Sequence, residues 1–276
     1  MTEPVWELLN DLEDSISTGY RISHTPPVVS IPAITEDSAR PCDEVENVDQ
    51  DAATVCAEAD METQGCSAVA QKLASSGKDI KQVSSAIRSC KACNLHSFRK
   101  NAVPGTGSLH PLLLVVSSFP CADDDKVGLP FVGHAGQYLD KWLKPVGLSR
   151  YRNVYITSLV KCRPPQNRGP LAEETEICIQ YFIRQIQLLQ PSMMLITGRS
   201  AARILFRDSN NTNEAAQPAE PERGKVHTCF GLPTIVTYHP GEVLRNQALR
   251  KDVWNDLQVM RDHLRSIRAD YQPPAV

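Results

Sequence analysis

The chain has 276 residues, of which 41% are hydrophobic, so it is long enough for one large or two small folded domains. Its net charge of −3 conceals two unlike regions: residues 1–85 carry 16 acidic against 5 basic side chains, and residues 86–276 carry 16 against 24. No secretory signal pattern and no apolar run near ~18 residues is present, so we expect a soluble, cytoplasmic protein without a membrane partner. The basic excess favours a nucleic-acid partner, with ordinary surface charge as the alternative.

The acidic region divides into two predicted parts. Residues 1–20 place Val5, Leu8 and Leu12 on one face of a short amphipathic helix. Such a helix either docks on a partner protein or packs on its own domain. Residues 21–72 are rich in Pro, Ser, Thr and acids, and are predicted to be a disordered linker. The folded domain is predicted to cover residues 73–276, with a surface insertion at 208–222.

The folded domain alternates apolar strands with amphipathic helices. The pattern predicts strands over residues 112–119, 154–160, 193–197 and 233–238, and helices over residues 136–146, 173–189, 200–206 and 247–268. This alternation predicts an α/β fold of three layers, α/β/α, around a four-stranded parallel sheet. Ligands bind beyond the carboxyl ends of such strands, so the loops that follow them are expected to form one pocket.

Four of the nine cysteines have a suggestive arrangement. Cys90 and Cys93 form a C-x-x-C, Cys162 precedes a proline-rich loop, and Cys178 follows 16 residues later in a predicted helix. A lone C-x-x-C has redox, zinc and structural interpretations, but the four together favour a four-thiolate metal site. In a reducing compartment, metal ligation or buried thiols are favoured over disulfides. No comparable spacing links the others, which are Cys42, Cys56, Cys66, Cys121 and Cys229.

A series of motifs runs in order through residues 86–268. The segments are Cys90-x-x-Cys93-x-Leu95, Val103-Pro104-Gly105-x-Gly107, Gly128-x-Pro130-Phe131-Val132-Gly133-x-Ala135-Gly136, Tyr155-Ile156-Thr157, Lys161-Cys162-Arg163-Pro164-Pro165-x-Asn167-Arg168, Thr237-Tyr238-His239-Pro240 and Leu244-Arg245. Together they resemble the iron–sulfur uracil-DNA glycosylases, usually called family four. The resemblance implies a uracil-DNA glycosylase-like fold and a monomer that repairs DNA by base excision.

The resemblance also implies a cofactor, a [4Fe–4S] cluster held by Cys90, Cys93, Cys162 and Cys178. Structural zinc is the competing interpretation. Zinc ribbons usually use two close C-x-x-C pairs, whereas the second pair of cysteines here is 16 residues apart. The iron–sulfur interpretation is therefore favoured.

Cutting the bond between a base and its sugar requires the nucleotide to leave the helix and enter a pocket. By the resemblance, Phe131 stacks on the flipped base, and Pro120 and Gly133 belong to the same base-binding pocket. His239 is predicted to hydrogen-bond the negative charge that develops on the base carbonyl. One such donor contributes on the order of 3 kcal/mol to catalysis.

Basic residues near these motifs are predicted to bind DNA. Arg245 is expected to contact the DNA backbone or to fill the gap left by the flipped base. Lys161, Arg163 and Arg168 surround the proposed cluster loop and are expected to contact phosphates. A solvated basic face without a ligand is the alternative for these three.

Two positions depart from the family pattern at the chemistry. Ser118 stands where the family has the Glu that orients and polarises the attacking water, and Ser158 stands where an Asn reads the uracil edge. A serine does not act as a general base at neutral pH without a neighbouring base. A milder change puts Gly241 where a Ser follows His-Pro.

Three interpretations follow from these departures. The protein is a weak or altered glycosylase that depends on His239, with a catalytic carboxylate from Asp124 or its neighbours Asp123 and Asp125. Alternatively, it is a catalytically inactive iron–sulfur protein that binds DNA and recruits partners. In the third interpretation, the pocket serves a different base.

Overall fold

The computed structural model describes residues 77, 79–209 and 221–274. The predicted helix of residues 1–20, the linker of residues 21–72 and most of the insertion at 208–222 lie outside these residues. The described strands are β1 (Thr106–Gly107), β2 (Leu113–Ser117), β3 (Val154–Ser158), β4 (Met193–Thr197), β5 (Val226–Cys229) and β6 (Leu232–Thr237). The described helices are α1 (Ile80–Ser89), α2 (Ala122–Val127), α3 (His134–Leu143), α4 (Ala172–Leu189), α5 (Arg199–Ser209), α6 (Pro240–Arg245) and α7 (Arg250–Ile267).

The strands form one sheet in the order β1-β3-β2-β4-β6-β5. The four central strands are parallel, as predicted, and Val115 of β2 pairs with Ile156 of β3 and Leu195 of β4. The sheet has two more strands than the sequence predicted, because β1 and β5 pair antiparallel at its edges. β1 has only two residues, and β5 is mostly exposed. Neither therefore carries the buried apolar run that marks the central strands.

Helices cover both faces of the sheet, which confirms the predicted α/β/α layering. Along β2, Leu113 and Val115 point into one core with α3 and α7. Leu114 and Val116 point into the opposite core with α4 and α5. Full burial of each such side chain contributes about 1.5–3 kcal/mol, so the two cores hold the strand ends in fixed positions. None of the described helices combines the length and apolar composition that crossing a bilayer requires.

A third apolar cluster attaches the start of the domain to α4. Val83 and Ile87 on one face of α1 pack with Ile177 and Tyr181 of α4. The N-terminus of α1 is capped by Asp79, whose carboxylate accepts the backbone N–H of Gln82 at 2.9 Å. This packing brings the C-terminal end of α1 to the loop that follows β3.

Candidate active site and cysteine cavity

The four predicted ligand cysteines line one cavity between α1, α4 and the loop after β3. Cys90 ends α1, and Cys93 begins a short 3₁₀ turn at Asn94–Ser97. Cys162 follows β3 and Cys178 lies in α4; both are buried, and all four are free thiols. The predicted grouping of these cysteines is therefore observed. Much of the remaining wall is apolar, formed by Ile87, Ala92 and Ile177.

Four thiols on one cavity are the donor set that a [4Fe–4S] cluster takes. Among the described residues, no set of three or more His, Cys, Asp or Glu is close enough to hold one metal ion. In a [4Fe–4S] cluster each thiolate binds its own iron, so the four sulfurs surround a volume and do not converge on a point. The backbone N–H of Lys161 donates to Cys178 Sγ at 3.3 Å. The buried hydroxyl of Tyr181 lies beside Cys90 without a well-formed hydrogen bond to any described residue. Such donors suit a sulfur-rich group.

Burial controls the protonation of these thiols. Loss of solvation raises the pKa of Cys93 to about 11, and nearby thiol charges add to the effect. Burial also raises the pKa of Cys162 and of Cys178. Because the thiolate is the form that binds a metal, ligation at this site must displace protons that burial otherwise retains.

Lys161 has a different role from the one predicted. Its side chain is 1% exposed, and its ammonium donates to Thr157 Oγ1 and Gln185 Oε1, each at 2.7 Å, and to the Ser158 carbonyl. Burial lowers the pKa of Lys161 to about 7. The prediction that Lys161 contacts DNA phosphates is therefore wrong, since the ammonium points into the interior and links the end of β3 to α4.

The other two basic residues of this loop are half-buried. Arg168 donates to both carboxylate oxygens of Glu174, at 2.9 and 2.6 Å, and so supports the first turn of α4. Arg163 Nε donates to Asn167 Oδ1 at 2.8 Å. Contact of either residue with DNA stays a prediction.

Phe131 lies in a constrained turn between α2 and α3. Its φ is +52°, which a bulky side chain rarely adopts. Arg150 Nη1 donates to the Phe131 carbonyl at 3.1 Å. Gly136 packs so closely that a Cβ there would lie 1.8 Å from the same carbonyl oxygen. These contacts set the position of the Phe131 ring, whose centroid is 5.5 Å from that of His239. Two of the predicted site residues are thus neighbours.

His239 follows β6 and caps the N-terminus of α6. Its Nδ1 accepts the backbone N–H of Gly241 at 3.1 Å. That bond assigns the proton of the neutral imidazole to Nε2, which makes Nε2–H the donor of the ring. Gly198, with a φ of +91°, lies against this residue: a Cβ there would be 3.2 Å from the Cβ of His239. The side chain is therefore held in place and in one tautomer.

Ser118 and Ser158 lie at the carboxyl edge of the sheet, Ser118 directly after β2 and Ser158 at the end of β3. Ser117 and Ser158 are register partners, and the pairing continues because the Val160 N–H donates to the Ser118 carbonyl at 3.0 Å. Ser158 is 1% exposed, and its Oγ has no hydrogen-bond partner among the described residues. Ser118 is half-buried. Neither side chain brings a carboxylate or an amide to this edge.

Asp124 is buried in the turn that leads to Phe131. It is 5% exposed, and its two oxygens accept the N–H of Val132 at 3.0 Å and of Cys121 at 3.2 Å. Burial raises its pKa, although these N–H bonds act in the opposite direction. The carboxylate of Asp124 therefore stabilises the turn that carries Phe131, and a catalytic role for it stays a prediction.

Pro120 and Gly133 flank this region. Pro120 is buried just before α2, and Gly133 is the N-cap of α3. Arg245 is exposed at the C-terminal end of α6. Contact of these three residues with a base or with DNA stays a prediction.

An ion pair behind His239 was missed by the sequence analysis. Thr237 Oγ1 donates to Asp256 Oδ2 at 2.7 Å, and Arg223 Nη1 lies 2.6 Å from Asp256 Oδ1. The Arg223 guanidinium also lies 4.9 Å from the ring centre of Tyr238. This network joins α7 to the two residues that precede His239. A signal was present, because Asp256 shares the helix face of Val253 and Met260, where an acid is unexpected.

Comparison with known proteins agrees with the geometry. The Uracil DNA glycosylase superfamily profile matches residues 104–258, more than half of the chain. A type-4 uracil-DNA glycosylase of Pyrobaculum aerophilum is 38% identical over 181 residues, which span 65% of this chain and 91% of that protein. A type-4 uracil-DNA glycosylase of Thermotoga maritima is 34% identical over 66% of this chain and 93% of its own length. A type-5 uracil-DNA glycosylase of Pyrobaculum aerophilum is 32% identical over 52% and 67%.

Proposed function

The chain belongs to the uracil-DNA glycosylase superfamily and is 34–38% identical to the type-4 enzymes named above, and from this we propose that it excises uracil or a related base from DNA. The reaction is hydrolysis of the N-glycosidic bond. The activity is weak or altered compared with an enzyme that has the full set of catalytic groups. The observation that carries the proposal is the pairing of Phe131 with a His239 ring whose donor is Nε2–H.

The geometry supports stabilisation of the leaving group. A flipped base stacked on Phe131 lies near the His239 ring, whose centroid is 5.5 Å from that of Phe131. As the glycosidic bond lengthens, negative charge builds up on a base carbonyl, and Nε2–H donates a hydrogen bond to it. The Gly241 N–H occupies Nδ1, so Nε2–H is the ring donor that is available to the base. A fixed donor aimed at developing charge lowers the barrier by about 2.7–4 kcal/mol.

Activation of water is the weak step. Ser118 offers a hydroxyl and no carboxylate, and Asp124 is committed to the backbone N–H groups of Val132 and Cys121. General-base assistance is worth roughly 10²–10⁴ in rate. Ser158 is short and recessed, so it replaces a two-donor, two-acceptor amide with one hydroxyl. We therefore infer slow excision and relaxed recognition of the base edge.

We further propose that Cys90, Cys93, Cys162 and Cys178 hold a [4Fe–4S] cluster. The support is the convergence of four free thiols on one largely apolar cavity. When bound, the cluster supplies a structural cross-link and a local negative charge, and it takes no part in cutting the bond. It ties the end of α1 to the loop after β3 and to α4.

A second candidate function is favoured by the replaced residues. Ser118, Ser158 and an Asp124 that is hydrogen-bonded to backbone N–H groups also suit a protein that binds DNA without cutting it. Such a protein would be recruited to its partners through its acidic region, residues 1–85. This alternative retains the fold, the cysteine cavity and the basic residues, and dispenses with catalysis.

One assay separates the two functions. The purified protein is incubated at stoichiometric concentration with single- and double-stranded oligonucleotides that contain uracil, and alkali then reveals abasic sites as strand breaks. We expect slow, uracil-dependent cleavage. Salt-dependent DNA binding without any abasic product would overturn the enzymatic proposal and support the second candidate. A protein without iron would overturn the cluster proposal separately.

A further inference from the structure

Arg99 lies on the wall of the cysteine cavity and joins two segments that are distant in sequence. Its Nη1 donates to Cys162 Sγ at 2.9 Å. Its Nη2 donates to the Cys90 carbonyl at 2.8 Å and to the Arg88 carbonyl at 3.0 Å. One guanidinium therefore holds a ligand sulfur from the loop after β3 and the backbone that carries the first ligand. The planar fork of arginine makes these bonds simultaneously, which the ammonium of a lysine does not.

The guanidinium of Arg99 forms no ion pair with a carboxylate in the described part of the chain; the buried carboxylate of Asp125, which lies close by, accepts the backbone N–H groups of Lys100 and Asn101. Its three hydrogen-bond acceptors are one thiol and two carbonyls, all neutral, and no ion pair involves it. Arg99 and Lys161 are both lining residues of the cavity, and no acidic side chain lines it. Cations in a poorly solvated site are stable when an anion compensates them. Four thiolates around a metal–sulfur group supply such an anion, so the guanidinium of Arg99, which contacts Cys162 Sγ, faces the place where negative charge is expected.

We propose that Arg99 is the positioning residue that retains the cluster. It donates a hydrogen bond to the Cys162 sulfur, fixes the Cys90 backbone relative to it, and offsets the negative charge of the bound cluster. Groups that orient metal ligands typically change metal affinity by about 10–100-fold when they are removed. The inference rests on the proposed cluster and is independent of glycosylase activity.

The test compares three variants of the full-length protein. Arg99→Met removes the charge and the fork, Arg99→Lys keeps the charge and loses the fork, and Arg152→Met is a control at an exposed position in the loop before β3. Iron and acid-labile sulfide are counted after anaerobic purification. The rate of cluster release is then followed as loss of visible absorbance in excess chelator, and the one-electron reduction potential is measured.

We expect Arg99→Met to release the cluster at least about 10-fold faster than the wild type, with Arg99→Lys between them and Arg152→Met unchanged. The reduction potential of Arg99→Met should be more negative, because an extra electron is less favourable without the neighbouring positive charge. A purely structural role would change the release rate and leave the potential unchanged.

The inference would be overturned if Arg99→Met released the cluster no faster than Arg152→Met does, or if its reduction potential were unshifted. Either result would leave the proposal of a cluster standing. If Arg99→Met does not fold, Arg99→Gln, which also removes the charge, takes its place: faster release together with a more negative potential supports the inference, and an unchanged value of either overturns it. A wild-type protein without iron would instead overturn the proposed cluster on which the inference rests.

Discussion

The cysteine cavity and the edge of the sheet near Phe131 differ in the functional groups that they bring together. The cavity has four free thiols, a guanidinium on one sulfur and a backbone N–H on another. The sheet edge has the neighbouring rings of Phe131 and His239, but Ser118 and Ser158 bring no carboxylate and no amide to it. The two regions share β3, which ends at Ser158 and leads directly to Cys162.

The difference follows from how each region is held together. The cavity is built from α1, α4 and the loop after β3, and its side chains belong to a buried apolar cluster. A substitution in the cavity wall therefore disturbs the packing of α1, α4 and the loop after β3 against one another. At the sheet edge, Ser158 ends β3 and Ser118 follows β2, and the hydrogen bonds that join the two segments there are made by the backbone and not by the side chains. Side chains at that edge are therefore replaceable without loss of the fold, whereas substitution of the side chains that line the cavity disturbs it.

The largest effect is expected from Cys178→Ser. This change removes one buried ligand, so we expect loss of the cluster and a fall in the free energy of unfolding. The fall should be about 3–4 kcal/mol, the stabilisation given by a ligand present at 100 to 1,000 times its Kd. Visible absorbance and denaturant unfolding measure the two effects. Cys121→Ser, outside the cavity, is the control; a Cys178→Ser protein as coloured and stable as this control would contradict the prediction.

His239→Ala tests the part of the sheet edge that is retained. The change removes the Nε2–H donor and should lower the single-turnover rate of uracil excision by about 10²–10³. DNA affinity should change little, because the histidine acts on the leaving base. His110→Ala, at an exposed position, serves as the control. An undiminished rate in His239→Ala would show that leaving-group stabilisation comes from elsewhere.

Asp256→Asn tests the ion pair behind His239. It weakens the buried bonds to Arg223 and Thr237 and should lower the free energy of unfolding by about 1–3 kcal/mol. Asp252→Asn is the matched control, since Asp252 pairs with the same arginine at 3.3 Å but its side chain is 43% exposed. Its cost should be below about 1 kcal/mol. If urea titrations gave the same loss in the free energy of unfolding for both variants, burial of Asp256 would add nothing to the strength of its bonds.

Glu174→Gln should have the smallest effect, and only at some pH values. Burial raises the pKa of Glu174, but the hydrogen bonds from Arg168 and from the Leu171 N–H lower it by more, so the net shift is downward. A carboxyl whose pKa is lower in the folded state stabilises the protein at pH values above its unfolded-state pKa. This stabilisation is lost as the pH falls through the folded-state pKa. At neutral pH the free energy of unfolding of the wild type should exceed that of Glu174→Gln by under about 1 kcal/mol. The difference should begin to shrink near about pH 4 and vanish only below the folded-state pKa. A difference that persists in acid, or one equal to that of Glu173→Gln, would contradict this assignment.

Sequence patterns predicted what depends on local regularity. The central strands are continuous apolar runs, so β4 was predicted at its observed bounds, Met193–Thr197. Motif spacing identified the cysteines that meet in the cavity. Roles that depend on tertiary burial were not predictable in this way. Lys161 belongs to a residue type that is usually exposed, yet it is buried against Gln185. Asp124 resembled a free carboxylate because its partners are backbone N–H groups, which sequence patterns do not display.

The central claim is that the scaffold and the cavity are intact while the catalytic groups at the sheet edge are reduced. Its most direct test is the single-turnover rate of uracil excision by Ser118→Glu combined with Ser158→Asn, relative to the wild type. Restoring a carboxylate and an amide should raise the rate by roughly 10²-fold or more, because general-base assistance alone is worth 10²–10⁴. A double variant that folds, keeps its iron and excises uracil no faster than the wild type would contradict the account.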